Sequence, residues 1–207
     1  MAEEAHTGEA AHTAEAAQMP GMPPMLAYTI RSPIQTRETP YIRIGQGPRS
    51  QWVSPNQRPA DNSYWIVILD ANKPTTKVQE LVIPWQNNSI APTNLNQNMS
   101  NPGYLFAVVT QVLANSSVPQ GPFYDWLAAH GAGRELQKLE QISSHTQTGY
   151  GLFSTVSYIL TGQCGPTINV AYERSSWTDA ALLLMSLMPM PDGQPPYSIC
   201  DSYTFVK

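Results

Sequence analysis

The run Tyr64-Trp65-Ile66-Val67-Ile68-Leu69 constrains the fold more than any other stretch of this chain. Six consecutive apolar residues, mostly aromatic or β-branched, cannot alternate between core and water, so they predict a strand buried on both faces. Asp70-Ala71-Asn72-Lys73-Pro74 reads as a turn, Lys77–Ile83 as a return strand and Tyr104–Leu113 as a second strong strand. Between them lies Asn87–Asn101, an Asn-rich, Pro-bearing loop of a length that often serves function.

Helical spacing follows. Phe123, Trp126 and Leu127 share one face, as do Leu136, Leu139 and Ile142, with Gly131-Ala132-Gly133 kinking or breaking the element. Leu152–Leu160 and Ile168–Tyr172 read as strands. Leu182–Met188 fits helix or strand, and the turn Pro191-Asp192-Gly193 before a strand Tyr197–Val206 favours strand. These elements place residues 62–207 in one α+β domain.

Two regions precede it. Residues 1–25 are low in complexity: His6–Ala11 is echoed by His12–Ala17, and Met-Pro-Gly-Met-Pro-Pro-Met follows. Few large side chains are present to offset ordering entropy, so a disordered tail is expected. Residues 26–61 carry Pro33, Pro40, Pro48, Pro55 and Pro59 and read as an extended arm with short β pieces at Leu26–Ile30 and Tyr41–Ile44. Arg31, Arg37, Arg43 and Arg49 recur every six residues there, and Trp52 would pack on the body or on a neighbour. One reading is a basic arm on an anionic partner. The other is a solvated edge whose charges and prolines discourage strand addition.

Only 13% of the 207 residues are charged, about half the usual share. Four of the fifteen acids (Glu3, Glu4, Glu9, Glu15) fall in the tail, which has no Lys or Arg, leaving eleven acids against eleven bases in the rest. This neutral body excludes a strongly basic nucleic-acid binder and offers little repulsion between copies. No apolar run reaches the length of a membrane span. No basic-then-apolar signal of the general secretory type is evident, and the setting expected is extracellular or particle-associated.

The order of elements is familiar. Tyr64–Asp70, Gly103–Thr110, a helix ending in Gly-Ala-Gly, Tyr158–Gly162, the loop Ala171-Tyr172-Glu173-Arg174-Ser175-Ser176 and a closing Pro-Asp-Gly…Tyr-Thr-Phe-Val resemble the interleukin-like epithelial–mesenchymal-transition-inducer domain, in its divergent bacterial-type form, across residues 62–207. The resemblance implies a compact β-rich fold of two packed sheets with helix against them, and no catalytic machinery. Animal members are secreted signalling or carbohydrate-recognising modules. They have more cysteines and a charged C-terminal stretch that this chain lacks, so no functional residue is carried over.

No hydrolase elbow, nucleotide loop or zinc-protease helix is present, and four histidines at scattered positions make no metal site. Neither a cofactor nor catalysis is expected. Asp125 beside Trp126 and Asp179 near Trp177 are the remaining acid candidates, more simply a helix first-turn acid and a turn residue. Trp85 with Asn87 and Asn88, and Trp177, combine aromatic faces with amides or hydroxyls and are the binding candidates. Cys164 and Cys200 would pair in an oxidising setting and stay free in a reducing one. The expected function is a non-catalytic module that binds a glycan or protein surface. The alternative is a self-assembling structural subunit of a virion, appendage or injection particle strapped by its arm. An enzyme, a hydrolase, comes third.

Overall fold

A computed structural model describes residues 23–147, 155–166, 170–190 and 197–201. The expected tail lies almost wholly outside these residues. So do Leu152 and Phe153, Ile168, the Pro191–Gly193 turn and the chain beyond Asp201.

Eleven strands are described: β1 (Leu26–Ser32), β2 (Tyr41–Ile44), β3 (Gln51–Val53), β4 (Ser63–Asp70), β5 (Lys73–Pro84), β6 (Tyr104–Gln111), β7 (Leu113–Ala114), β8 (Thr155–Gln163), β9 (Ala171–Ser176), β10 (Ala181–Pro189) and β11 (Tyr197–Asp201). The described helices are a single turn, α1 (Asn96–Met99), then α2 (Gly121–Ala129) and α3 (Arg134–Gln147).

The strands form two antiparallel sheets. A central sheet runs β5-β4-β6-β8-β9, with β7 continuing beside β8 past a kink at Val112, where φ is 45°. An outer sheet runs β11-β10-β1-β2-β3. The protein is therefore β-rich, with two packed sheets and few helices, as expected from the sequence.

Three layers result, and they explain the apolar runs. In β4, Tyr64, Ile66 and Ile68 point towards α2 and α3, where they join Phe106, Val108, Phe123, Trp126, Leu136, Leu139, Tyr158 and Leu160. The alternate residues Trp65, Val67 and Leu69 point the other way, into a second core shared with Tyr28, Ile30, Ile42 and Leu187 of the outer sheet. Each such side chain removed from water contributes about 1.5–3 kcal/mol before entropy is counted. The central sheet can be apolar on both faces only because both are covered.

The arm is where the structure departs from expectation. Residues 26–61 are not an extension outside a body that begins near Asn62. They supply three of the five outer strands, and β1 lies between β10 and β2 with Tyr28↔Met185 and Ile30↔Ile42 in register. The prolines sit between strands or at their ends: Pro33 follows β1, Pro40 precedes β2 and Pro48 lies in the turn after β2. They punctuate a meander and leave its ladders intact. Of the two expectations at Gly131-Ala132-Gly133, a kink or a break, the structure has the break: two helices, with His130 capping α2 and Gly131 in the left-handed region at φ 91°. Ala171–Ser176, read as a loop, is the edge strand β9, paired along its length with β8.

One glycine is fixed by close approach. A Cβ on Gly162 would sit 2.8 Å from Phe106 Cε1 and 3.1 Å from the Val170 carbonyl oxygen.

Candidate functional site

The sequence-derived candidates do not assemble into one site. Trp85 follows β5 and Trp177 follows β9, the opposite edges of the central sheet. Three strands lie between them, which separates the two strand ends by about 19 Å. Trp85 is 48% exposed. Asn87 is exposed too, but Asn88 holds the loop together: its Nδ2 donates to the Val118 carbonyl at 2.8 Å and its own carbonyl accepts from Gln120 N at 2.9 Å. The rest of the Asn-rich loop folds inward, burying Leu95 and Met99, and Asn96 Oδ1 accepts from Trp126 Nε1 at 2.9 Å. Trp177 packs against the helix-side core.

The two cysteines do not pair either. Both are free. Cys164 is buried in the helix-side core next to Met99, and burial pushes its thiol up to about 12. Cys200 lies in β11 of the outer sheet, opposite Ser186 of β10, so the layers of the fold keep the thiols apart.

Glu173 is the residue that sequence reasoning missed. From β9 its carboxylate accepts from Glu135 N at 2.6 Å and Leu136 N at 3.3 Å, capping α3, while Tyr158 Oη donates to it at 3.0 Å. Glu135 answers from the helix, accepting from Ser175 N and Oγ at 3.2 and 2.5 Å and pairing with Lys138. Partial burial raises the Glu135 carboxyl, but hydrogen bonds from Lys138 and Ser175 outweigh it and hold the carboxyl below its usual value. The helix start after Gly131-Ala132-Gly133 is thus filled by the chain's own carboxylate, and a phosphate has no place there. His130 sits at the end of α2, where Nδ1–H donates to the Trp126 carbonyl at 2.6 Å. Burial lowers its pKa, so it favours the neutral form.

A cleft of about 440 Å³ opens between the start of α2 and α3, lined by Gln120, Tyr124, Asp125, Glu140 and Ser143 among others. Burial and then neighbouring Glu140 raise the Tyr124 phenol. Asp179 is absent from this cleft; it lies in the β9–β10 turn, where its carbonyl accepts from Ser157 Oγ at 2.9 Å. No group of three or more metal-ligating side chains occurs among the described residues. None of their helices is long and apolar enough to cross a membrane.

The candidates that do come together are those of the former arm. The outer sheet turns one face to the core and the other to solvent. Its solvent face carries two cross-strand rows: Trp52–Arg43–Thr29–Leu184 across β3, β2, β1 and β10, and Tyr41–Arg31–Leu182 across β2, β1 and β10. Trp52 is 58% exposed, Leu184 48% and Leu182 39%. Tyr41 meets Trp52 edge-on at 4.7 Å between ring centroids, and the Arg43 guanidinium lies 5.4 Å from the Trp52 ring centroid, a cation–π contact. Arg31 pairs with Glu38 at 2.7 Å. Arg43 has no acidic partner among the described residues.

The six-residue arginine spacing maps onto this meander as one arginine per strand and one per turn. Arg31 and Arg43 become diagonal neighbours on the face; Arg37 and Arg49 are exposed in the connections at its two ends. No protein-family model matches the chain, and a search of curated proteins finds no relative.

Proposed function

We propose that the protein is a non-catalytic recognition module that docks an acidic protein segment on the solvent face of its outer sheet. The two parallel rows of aromatic, arginine and leucine carry this reading. Protein interfaces are enriched in aromatic residues and arginine and depleted in lysine and acids at their centres, the composition found here. Trp52 is held by Tyr41 and Arg43, so little side-chain entropy is lost when a partner covers it. Arg43 supplies a cation with no acidic partner among the described residues. A broad four-strand face suits a protein segment better than a glycan, whose sites are typically concave.

A display library of random peptides, selected on the wild-type protein, tests this. Peptides enriched in Asp and Glu around an aromatic or aliphatic anchor are expected, binding wild type and failing on Trp52→Ala and Arg43→Glu. Recovery of no such peptides, equal binding by both variants, or selection of neutral glycans by this face on an array would each overturn the proposal.

A further inference from the structure

Resting on that reading of the face, we infer that its occupant in the free protein is the chain's own N-terminal segment, residues 1–22. Charge points to it first. The segment carries Glu3, Glu4, Glu9 and Glu15 and no Lys or Arg. The face presents Arg43, beside the Arg31–Glu38 pair, with exposed Arg37 and Arg49 at its ends. Two copies meeting face to face would set arginine against arginine; the acidic segment is complementary.

Connectivity points the same way. The segment leads through Pro23–Met25 into Leu26, the first residue of β1, and β1 lies between the leucine-bearing β10 and the arginine-bearing β2. Trp52 on β3 is two strands away, about 10 Å. A chain of 22 residues reaches up to about 70 Å when extended, so the segment of the same molecule spans the whole face. Tethering also gives it an effective concentration in about the millimolar range.

Side-chain chemistry completes the match. Met19, Pro20 and Met22 lie in the segment next to Met25, which is 49% exposed. Thioethers adapt to irregular aromatic and leucine surfaces. An acidic partner must then displace the segment, and its apparent affinity falls by the fraction of molecules whose face is open.

The test compares the full-length protein with a full-length variant carrying Glu3→Gln, Glu4→Gln, Glu9→Gln and Glu15→Gln. The Trp52 indole and the Leu182 and Leu184 methyl resonances are followed by NMR at low and high salt. They are expected to shift in the variant, and in the wild type at high salt, while the Trp65 indole stays in place. The wild-type positions are expected to be independent of protein concentration. Unchanged resonances would refute the inference, and concentration-dependent ones would assign the contact to a neighbour's segment and refute it equally.

An acidic peptide from the display selection provides the second readout. It is expected to bind the variant about tenfold more tightly than wild type. Equal binding to both would sink the inference and leave the docking face standing. Binding to neither would sink the docking face itself.

Discussion

Trp65 and Trp52 occupy middle positions in their strands, one in the central sheet and one in the outer sheet, yet their surroundings are opposite. Trp65 is fully buried between the sheets, and its strand neighbours Ile66 and Tyr64 are buried on or alongside the helix side. Trp52 is 58% exposed and meets Tyr41 and Arg43 on the solvent face. The central sheet has a layer on each side, and its inner strands β4, β6 and β8 bury nearly every residue. The outer sheet has one covered face, and its second face carries exposed side chains, Trp52, Leu182 and Leu184 among them. The same residue type is therefore structural in one sheet and a candidate contact in the other.

The sharpest way to break this comparison is to truncate both tryptophans. Trp65→Ala is expected to cost about 3–5 kcal/mol of unfolding free energy, because the cavity sits between layers that cannot collapse independently. Trp52→Ala should cost no more than about 1 kcal/mol, the worth of an exposed cation–π contact. Chemical denaturation of both variants checks this; similar losses would mean the outer face is as structural as the central one.

Gly162→Ala comes next. Its new Cβ would press into the Phe106 ring and the Val170 carbonyl, and about 1–3 kcal/mol of destabilisation is expected. A thermal melt of this variant measures how tightly the central sheet is packed. Unchanged stability would show that Phe106 yields.

The smallest expected effects are pH effects on the helix layer. Folding lowers the His130 pKa, so the folded state binds fewer protons and stability should decline as pH falls from about 6.5. Glu135 is likewise lowered, so its contribution is present above the unfolded value near 4.5 and is lost as pH falls through the folded value. Denaturation midpoints measured across this range should show two declines, with His130→Asn removing the upper one and Glu135→Gln the lower. A wild-type profile flat from pH 7 to 5 would contradict the His130 assignment, and one flat from about pH 5 to 3 the Glu135 assignment.

Much of the central sheet was legible in the sequence. Tyr64–Leu69 and Tyr104–Leu113 announce burial on both faces because an unbroken apolar run has no other stable setting. The helix pair was legible through its 3.6-residue spacing, and the break through Gly131. The outer sheet was not. In Leu26–Ser32 the buried Tyr28, Ile30 and Ser32 alternate with Ala27, Thr29 and Arg31, a pattern equally good for an edge strand with no partner. Its partner β10 begins at Ala181, far along the chain, and carries no local mark of that pairing. The candidate face was half-visible, since Arg31, Arg43 and Trp52 stand out by type. Their assembly depends on registers such as Thr29↔Arg43↔Trp52 that a linear pattern cannot specify.

By itself the sequence determined which segments must be buried on two faces, where helices start and break, and that the charge is segregated into an acidic N-terminal segment and a neutral body. Tertiary structure alone decided that the proline-rich stretch completes a sheet, that Glu173 caps α3 across 38 residues from Glu135, and that Cys164 and Cys200 stay apart. The division has one physical cause. Periodicity and side-chain size report the environment a segment needs, and they are local. Which distant segment supplies that environment is settled by packing the whole chain at once.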